Sequence, residues 1–449
     1  MKHYDLFVVG TGPAGSLAAF QAREAGLSVA IADKKPLGGT CALRGCNPKK
    51  VLYEVTSLID QTRRLKGLGI DGEISINWKD MMEFKRTFTR PVPKSSEESY
   101  HEAGMEIYRG AVSFNQEDQV RVNDEIIGFD KILLAAGARP MPLNIRGGEH
   151  LADSADFLEL DELPKQIVLI GGGFISFEFA HIAALSGSEV HIIELTDRPL
   201  RQFDGEAVAL LMKRSEELGI KIHLNTKPFE IEKTRDRYIV HAKNHDQDIR
   251  IGCDRVFHGA GRVPDTAGLA LEKGNVTYDN SGIAVNEFFQ SVSNERVYAA
   301  GDVTLENAMP LTPVAEFESD LAIQNIIKGN HKKADYGMIP SILFTQPELA
   351  MIGLTQEKAE EDHLDVSIQR INIKEWTSYQ RTNEAYAMAK TITDKKSGKL
   401  LGVHILGRNA DQLINLFSLM MNFHLSPEKI KNTLFAFPTA ASDFGPLLP

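Results

Sequence analysis

Two cysteines separated by four residues are the part of this 449-residue chain best suited to chemistry. In an ideal helix the five steps from Cys41 to Cys46 rise about 7.5 Å, whereas a disulfide tolerates Cα separations up to about 6.8 Å. A bond between them requires a distorted helix start, which Gly45 makes easier, and a strained disulfide is comparatively easy to reduce. The alternatives are two reduced thiols or half of a metal site, but no nearby histidine or second cysteine pair completes zinc spacing. We favour a redox-active disulfide.

A lysine close to this pair could tune its reactivity. Lys49 lies three residues after Cys46, which predicts that both share one face of a helix. A cation there favours the Cys46 thiolate, whereas the alternative is a solvated surface lysine. Cys253 stands alone in a strand-like stretch and is predicted to be a small buried hydrophobic residue.

The first 33 residues have the pattern of a strand, a glycine turn, a helix and a second strand. Residues 6–9 are apolar, residues 16–25 are predicted to be helical, and residues 29–32 form an apolar run that ends at Asp33. The turn between the first strand and the helix comprises Gly10, Thr11, Gly12, Pro13, Ala14 and Gly15. Its glycines allow backbone N–H groups to approach a pyrophosphate at a helix N-terminus, and Asp33 is placed to accept hydrogen bonds from a ribose.

The same pattern occurs a second time. Residues 167–170 predict a strand, a helix extends to residue 185, and residues 190–193 lead to Glu194, which lies 18 residues after Ser176 just as Asp33 lies 18 after Gly15. The second turn comprises Gly171, Gly172, Gly173, Phe174, Ile175 and Ser176. One such turn could be a glycine-rich loop without a ligand, but two copies with their strands, helices and acids predict two bound nucleotides. FAD and NAD(P)H are the usual combination, because a flavin accepts a hydride and passes on electrons.

Composition excludes several other classes of protein. Hydrophobic residues make up 43% of the chain and charged residues 25%, as in ordinary globular proteins, and no apolar run approaches the roughly 20 residues of a membrane helix. The formal charge of −11 makes nucleic acid and anionic membranes poor partners. Three cysteines and an N-terminus without an apolar signal core predict a cytoplasmic protein.

The remaining elements alternate between helices and strands. Residues 51–64 and 78–104 are predicted to be helical, residues 131–134 form a strand leading to Gly137, and residues 297–300 form a strand leading to Gly301 and Asp302. From residue 340 onward, strands and helices alternate without a glycine fingerprint, which predicts a separate C-terminal domain.

These motifs together resemble the pyridine nucleotide–disulfide oxidoreductase family, which includes glutathione reductase, dihydrolipoamide dehydrogenase and mercuric reductase. The resemblance covers nearly the whole chain and rests on residues 10–15, 38–41 with Cys46 and 48–49, 171–178, 261–264, 301–302 and 344–348. It implies an α/β fold with two Rossmann-like dinucleotide-binding domains, for FAD and NAD(P), and an α+β C-terminal dimerisation domain. The implied boundaries are 1–148 for the first part of the FAD domain, 149–264 for the NAD(P) domain, 265–336 for a central domain that completes the FAD domain, and 337–449 for the dimerisation domain of a homodimer.

The resemblance also implies residue roles. Asp33 would hold the adenosine ribose of FAD and Asp302 its ribityl chain. Cys46 would be the thiolate near the flavin, and Cys41 the interchange thiol that attacks substrate. Lys49 and Glu178 would pair beside flavin N5 and the nicotinamide, and Phe174 would be the aromatic lid over the nicotinamide. The other implied cofactor-binding residues are Gly10, Gly12, Pro13, Ala14, Gly15, Lys34, Gly39, Thr40, Gly137, Gly171, Gly173, Ile175, Glu194, Gly261, Arg262, Gly301, Thr312, Pro313 and Ala315.

The end of the second nucleotide pattern bears on the choice of reductant. Glu194 is placed to bind both ribose hydroxyls and would repel a 2′-phosphate. Leu195 follows where NADPH-dependent relatives commonly carry arginine, while Arg198 and Arg201 nearby keep NADPH possible. We therefore favour NAD(H) over NADP(H).

One departure from the family concerns proton transfer. Most disulfide-reducing members carry a His-Pro-Thr signature near the C-terminus, with a glutamate five residues after the histidine, and this histidine shuttles a proton to the leaving thiol of the partner's site. Phe437 stands at the histidine position here and Ser442 at the glutamate position. General acid–base help is worth about 10²–10⁴-fold, so turnover of glutathione or lipoamide should be impaired. The chain also lacks the C-terminal cysteine pair with which mercuric reductases deliver metal.

The leading hypothesis is an FAD-dependent NAD(P)H oxidoreductase that passes electrons through the Cys41–Cys46 disulfide to an unidentified small-molecule or protein disulfide. One alternative sends electrons from flavin directly to a quinone, a metal ion or oxygen. Another is a redox-sensing protein, or a component of a 2-oxoacid dehydrogenase assembly, with low turnover.

Overall fold

The computed structural model describes residues 1–304 and 309–448, and the chain divides into two compact units. The first unit comprises Met1–Lys49, Glu83–Met141 and Gly261–Tyr336. The second comprises Lys50–Met82, Pro142–Ala260 and Gly337–Pro449. The domain boundaries implied by the family resemblance remain a prediction.

The first unit is built on a seven-stranded sheet whose central strands are parallel. The strands follow the order Glu106–Arg109, Val29–Asp33, Lys2–Val9, Glu125–Leu134, Gln119–Val122 and Val112–Gln116, and Val297–Ala299 also pairs with Glu125–Leu134. Residues 6–9 are buried on both faces, which explains their continuous apolar run. Helices Pro13–Glu24 and Thr312–Lys328 pack together, and Gln21 Nε2 donates to Asp320 Oδ1 at 2.9 Å.

Two small antiparallel pairs and further helices complete the first unit. The pairs are Ala138–Pro140 with Arg262–Pro264 and Tyr278–Asp279 with Gly282–Ile283. The helices are Gly39–Arg44, Val92–Glu102 and the 3₁₀ turn Leu271–Gly274, together with the start of Cys46–Arg64, which continues into residues of the second unit.

The second unit contains a parallel sheet that carries the second glycine turn. Its strands follow the order Ile220–His223, Glu189–Ile193, Gln166–Ile170 and Arg255–His258. A three-stranded antiparallel sheet is formed by Thr226–Lys233, Tyr238–Asn244 and Gln247–Cys253. The helices of this part are Ser154–Phe157, Phe174–Leu185 and Gly205–Glu217, with the 3₁₀ turn Gly148–His150.

The C-terminal part of the second unit is a five-stranded antiparallel sheet covered by helices. Its strands follow the order Pro340–Leu343, Leu349–Gly353, Leu400–Leu406, Met388–Asp394 and Val366–Ile371. The helices and 3₁₀ turns are Gln356–Glu361, Ile373–Glu375, Thr377–Gln380, Ala410–Asn422, Pro427–Lys431, Ala440–Asp443 and Phe444–Leu447. The absence of a glycine fingerprint in this region agrees with its antiparallel pairing, because parallel βαβ units supply that motif.

The structure confirms the mixed α/β class and corrects one helix. The helix predicted over residues 78–104 is two helices, Trp78–Thr89 and Val92–Glu102. Pro91 separates them, because proline lacks the N–H that a continuing helix needs. Cys253 ends its strand fully buried, as predicted, and burial raises the pKa of its thiol to about 12.

Candidate active site

In the first glycine turn, Gly10 and Gly15 leave no room for a side chain, whereas Gly12 borders open space. Gly10 has a φ of +104°, and a Cβ there would lie 2.3 Å from the carbonyl oxygen of Ala135. A Cβ on Gly15 would lie 1.9 Å from the carbonyl oxygen of Gly10. At Gly12, by contrast, no described heavy atom outside its neighbours lies within 4 Å of a built Cβ, and no described side chain caps the helix that starts at Pro13. The turn therefore presents helix amides to an open space, as a pyrophosphate requires.

Asp33 holds the first glycine turn against the end of its strand. Its Oδ2 accepts from Thr11 N at 2.9 Å and from Thr11 Oγ1 at 2.7 Å. Its Oδ1 accepts from Lys35 N at 2.8 Å. Lys34 Nζ points elsewhere, lying 2.8 Å from Asp265 Oδ2. The carboxylate thus stands beside the turn, where the sequence predicts a ribose contact.

Several other predicted FAD residues converge on the same turn within the first unit. A Cβ on Gly39 would lie 2.3 Å from Gly12 Cα, so the segment leading to the cysteines touches the turn. A Cβ on Gly301 would lie 3.1 Å from Ala315 Cβ and 3.8 Å from Ala14 Cβ. The strand end at Gly301 and the first turn of helix Thr312–Lys328 therefore meet the glycine turn.

The predicted FAD residues also include an acid in a partly buried setting. Burial raises the pKa of Asp302, and the positive charge of Arg262 opposes that rise. Arg262 donates to the carbonyl oxygen of Ala138. Gly137 has a φ of +70° and no described atom near its built Cβ, and Gly261 has a φ of +109°. Thr40 and Pro313 are exposed, while Pro13 is half-buried.

The second glycine turn repeats this arrangement within the second unit. Gly171 has a φ of +100°, and a Cβ there would lie 2.4 Å from Ala260 Cα. Glu194 Oε2 accepts from Gly172 N at 2.6 Å, as Asp33 accepts from Thr11. Its Oε1 accepts from Thr196 N at 2.8 Å. Asp33 and Glu194, which the sequence places at equivalent positions, therefore each accept a hydrogen bond from a backbone N–H of their own glycine turn.

The helix that follows the second turn carries three further predicted residues. Gly173 precedes Phe174–Leu185, and no described side chain caps that helix. Phe174 is 43% exposed and Ile175 is half-buried. An exposed aromatic ring at the start of an otherwise buried helix is compatible with the predicted lid over a nicotinamide.

Glu178 is oriented by the C-terminal part of the second unit. The side chain is buried, and its Oε1 accepts from Phe344 N at 3.0 Å. The ring of Phe344 packs edge-on against Tyr53, with centroids 5.4 Å apart, and Lys50 Nζ lies 3.9 Å from both ring centroids. The backbone N–H of Phe344 therefore orients this carboxylate, a contact that sequence spacing did not predict. The ion pair of Glu178 with Lys49 remains a prediction.

The two cysteines lie on separate helices that break at Gly45. Cys41 is in Gly39–Arg44, and Cys46 begins Cys46–Arg64. A Cβ on Gly45 would lie 2.8 Å from the carbonyl oxygen of Thr40, so the break needs glycine. Both cysteines are thiols in the structure, with Cys41 half-buried and Cys46 exposed. The predicted distortion is therefore present, and Lys49 follows Cys46 by one turn on its helix as predicted.

Cys41 is the thiol that the surroundings activate. Hydrogen bonds from Cys46 and Thr312 lower the pKa of Cys41 to about 6, although its burial acts in the opposite direction. Thr312 Oγ1 lies 3.2 Å from Cys41 Sγ and starts helix Thr312–Lys328. A thiol of that pKa is largely a thiolate at neutral pH, the form that attacks a disulfide. Sequence reasoning named Thr312 only as a cofactor residue, and nothing in the local pattern connects it with a cysteine 271 positions away.

The C-terminal segment contains Phe437 and Ser442, the residues at the positions where the resemblance implies a histidine and a glutamate. Phe437 is 85% exposed. Ser442 Oγ donates to the carbonyl oxygen of Thr439 at 2.6 Å and accepts from Thr439 N at 3.3 Å. Ser442 thus closes a local turn, and the apolar side chain of Phe437 is exposed.

Comparison with known proteins identifies the class. Residues 4–319 match the family model described as pyridine nucleotide-disulphide oxidoreductase, and residues 339–447 match the dimerisation domain of that family. The chain belongs to this family. It is an NAD(P)H-dependent oxidoreductase, FAD is the cofactor expected for the family, and the dimerisation domain indicates a homodimer.

Two sequence relatives agree with this assignment, and two solved structures share the fold. The chain is 29% identical over 443 residues to a dihydrolipoyl dehydrogenase of Bacillus subtilis, covering 97% of this chain and 95% of that protein. It is 30% identical over 446 residues to a mercuric reductase of Lysinibacillus sphaericus, covering 98% and 81%. A solved structure of the HOCl-induced flavoprotein disulfide reductase RclA from Escherichia coli has a TM-score of 0.89 at 23% identity, covering 99% of both chains. A Cu(II) complex of a mutant of that protein also has a TM-score of 0.89, at 22% identity, covering 100% of this chain and 99% of that one.

Among the described residues, no helix is both long and apolar enough to cross a membrane.

Proposed function

We propose that the protein transfers electrons from NADH to a disulfide acceptor through the Cys41–Cys46 pair. The observation that carries the proposal is the activated Cys41 thiol, whose pKa is lowered to about 6 by hydrogen bonds from Cys46 and Thr312. A structural cysteine pair does not need a thiolate at neutral pH, whereas thiol–disulfide exchange does. Among the described residues no group of three or more possible ligands is arranged to hold a metal ion.

The residues present fit an FAD at the first glycine turn. The open space at Gly12, the uncapped helix behind it and the carboxylates of Asp33 and Asp302 support this placement. When bound, FAD supplies the redox chemistry that links a two-electron hydride donor to a dithiol. Lys49 would place a positive charge beside it, one helical turn from Cys46.

NADH is proposed as the reductant at the second glycine turn. Glu194 places a carboxylate at the end of its strand, held there by Gly172 N and Thr196 N. A carboxylate at this position accepts from a ribose 2′-hydroxyl and repels a 2′-phosphate. Phe174 would cover the nicotinamide and Glu178 would face it.

The reduced pair would act on the acceptor in two exchange steps. The Cys41 thiolate attacks one sulfur of the acceptor, forms a mixed disulfide and expels the other sulfur as a thiolate. The sulfur of Cys46, once deprotonated, then attacks Cys41, restores the Cys41–Cys46 bond and releases the second thiolate. Two electrons pass from the dithiol to the acceptor. Of the two protons of the products, one is the proton that the reduced Cys41–Cys46 pair shares, and the other comes from solvent or the acceptor itself.

The replacement of the family histidine by Phe437 restricts the acceptor. Without an acid at that position, exchange favours acceptors whose expelled thiolate is stable, because a thiol of lower pKa leaves faster. An acceptor that carries its own proton source meets the same need. We therefore propose a protein disulfide, or a low-molecular-weight disulfide of this kind, as the substrate class.

An anaerobic NADH titration followed by an acceptor series tests the proposal. NADH should produce two titratable thiols and a long-wavelength charge-transfer band, which Cys46→Ser abolishes. Turnover with aromatic disulfides, whose thiols have low pKa, should exceed turnover with oxidised lipoamide, and Cys41→Ser should stop both. A flavin-free protein, or full disulfide turnover by Cys41→Ser, would show that the proposal is wrong.

A second function, direct reduction of a metal ion or quinone, is favoured by one observation. Phe437 leaves no proton donor at the position that disulfide-reducing relatives use. One-electron reduction of a metal ion needs no proton, and the two protons that reduction of a quinone to a hydroquinone consumes would come from solvent. A Cu(II) complex is known for the structurally similar RclA mutant. Rapid Cu(II) or quinone reduction that survives Cys41→Ser would favour this function over disulfide exchange.

A further inference from the structure

The chain segment after Glu194 folds back over the second glycine turn. Leu200 N donates to the carbonyl oxygen of Gly172 at 2.9 Å. A Cβ on Gly172 would lie 2.8 Å from Pro199 Cβ and 2.6 Å from Glu194 Oε2. Arg198, which precedes Pro199, is thus attached to the segment that borders the predicted adenosine ribose.

An arginine in this position would ordinarily support NADPH. Proteins that accept NADP(H) place an arginine near the ribose, where it binds the 2′-phosphate, and its planar guanidinium suits bidentate phosphate contacts. The presence of Arg198 beside Glu194 therefore raises the question of where its side chain is directed.

The guanidinium of Arg198 is held by a carboxylate from the C-terminal part of the second unit. Arg198 Nη1 lies 2.5 Å from Glu357 Oε1, and the same oxygen accepts from Gly205 N at 3.1 Å. Arg198 Nη2 donates to the carbonyl oxygen of Arg201 at 3.2 Å. Burial alone would raise the pKa of Glu357, but hydrogen bonds from its own backbone and from Arg198 lower it. Glu357 is therefore charged at neutral pH and occupies the guanidinium.

Two further ion pairs join the segment 204–206, which follows Arg198, to the C-terminal part of the second unit. Lys390 Nζ lies 2.8 Å from Asp204 Oδ2, with both side chains 1% exposed. Arg370 Nε and Nη2 donate to the Glu206 carboxylate at 2.7–3.0 Å. These two pairs involve neither Arg198 nor Glu357.

We propose that Glu357 determines nucleotide specificity by holding Arg198 away from the position of a 2′-phosphate. This inference rests on the proposed preference for NADH. Two acids then act together: Glu194 meets the ribose directly, and Glu357 is a positioning residue that withholds the nearby arginine and adds negative charge to its surroundings. The second acid belongs to the sequence region that matches the dimerisation domain, 163 residues away from the first.

The test compares kcat/KM for NADH and NADPH in the flavin-loaded homodimer. Glu357→Ala should raise kcat/KM for NADPH about fivefold through a lower KM, with kcat/KM for NADH changed less than about twofold. Glu357→Gln, which keeps a neutral acceptor for Arg198, should give a smaller gain. Affinity for adenosine 2′,5′-bisphosphate, measured by calorimetry without turnover, should rise by a similar factor. The matched control is Glu206→Gln, which breaks the neighbouring ion pair with Arg370 without touching Arg198. It should change kcat/KM for neither NADH nor NADPH.

A double variant separates release of the arginine from simple loss of charge. Arg198→Ala alone should have little effect, but added to Glu357→Ala it should remove the gain for NADPH. If the gain persists without Arg198, or if Glu357→Ala leaves NADPH and bisphosphate binding unchanged in an enzyme that prefers NADH, the inference is wrong. A native enzyme that prefers NADPH would instead overturn the underlying proposal for Glu194.

Discussion

Replacing Thr312 by valine isolates the hydrogen bond that activates Cys41. The two side chains have nearly the same shape, but valine lacks the hydroxyl that lies 3.2 Å from Cys41 Sγ. A hydrogen bond to a charged group contributes about 1.5–3 kcal/mol, and 1.36 kcal/mol corresponds to a change of one in pKa. Thr312→Val should therefore raise the pKa of Cys41 from about 6 to about 7 or 8.

The direction of the pH effect on Cys41 reactivity follows from the fact that only its thiolate form reacts. The thiolate is the nucleophile, so a higher pKa lowers reactivity only at pH values near or below it. Near pH 6.5 the thiolate fraction should fall from about three quarters to between about one quarter and one thirtieth. Near pH 9.5 the variant and the native enzyme should react at similar rates.

The rate at which iodoacetamide alkylates Cys41 in the reduced enzyme reports the thiolate fraction of Cys41 at each pH. The rate at Cys41 is followed by peptide mass spectrometry between about pH 5 and 10, which separates it from the reaction at Cys46. Thr312→Ser keeps the hydroxyl and serves as the control, and flavin content is checked in both variants. An unchanged alkylation profile for Thr312→Val would falsify the assignment of Thr312 as an activating residue.

Three further variants test other parts of the site. Gly12→Ala fills the open space at the first glycine turn and should lower the FAD content per chain, measured by absorbance, while leaving the apoprotein's thermal unfolding nearly unchanged. Phe437→His combined with Ser442→Glu should raise steady-state turnover of oxidised lipoamide or glutathione by about tenfold or more, given the usual contribution of general acid catalysis, and no gain would indicate that proton delivery does not limit the rate. Gly45→Ala should lower the free energy of unfolding in urea by about 1–3 kcal/mol, because the added Cβ meets a carbonyl oxygen. Gly252→Ala, where no described atom lies within 4 Å of the added Cβ, should lower the free energy of unfolding by less.

The features predicted from sequence are those encoded by short segments. Each nucleotide pattern contains its strand, turn, helix and acid within about thirty residues, and the structure forms both turns with matching hydrogen bonds from Asp33 and Glu194. The break between the cysteines was also predictable, because the helix rise and the disulfide geometry conflict unless Gly45 distorts the chain. The single helix predicted over residues 78–104 was wrong at Pro91, where the chain forms two helices, because proline lacks the N–H that a continuing helix needs.

The contacts that could not be predicted join distant segments. The hydroxyl of Thr312 reaches Cys41, the backbone of Phe344 orients Glu178, and Glu357 holds the side chain of Arg198. Each depends on how sheets and helices pack, and no local periodicity records such a contact. The residues involved are ordinary helix-start or loop residues, so only their placement reveals their role.

The lowered pKa of Cys41 clarifies what the loss of the family histidine removes. A histidine beside an interchange thiol can serve as base for the attacking sulfur and as acid for the departing one. Here Cys46 and Thr312 already stabilise the thiolate, so the attack needs no additional base. Only protonation of the departing sulfur lacks a donor at the position of Phe437. The proposed disulfide exchange therefore has a competent nucleophile, and under that proposal the leaving-group chemistry of the acceptor governs which acceptors are reduced.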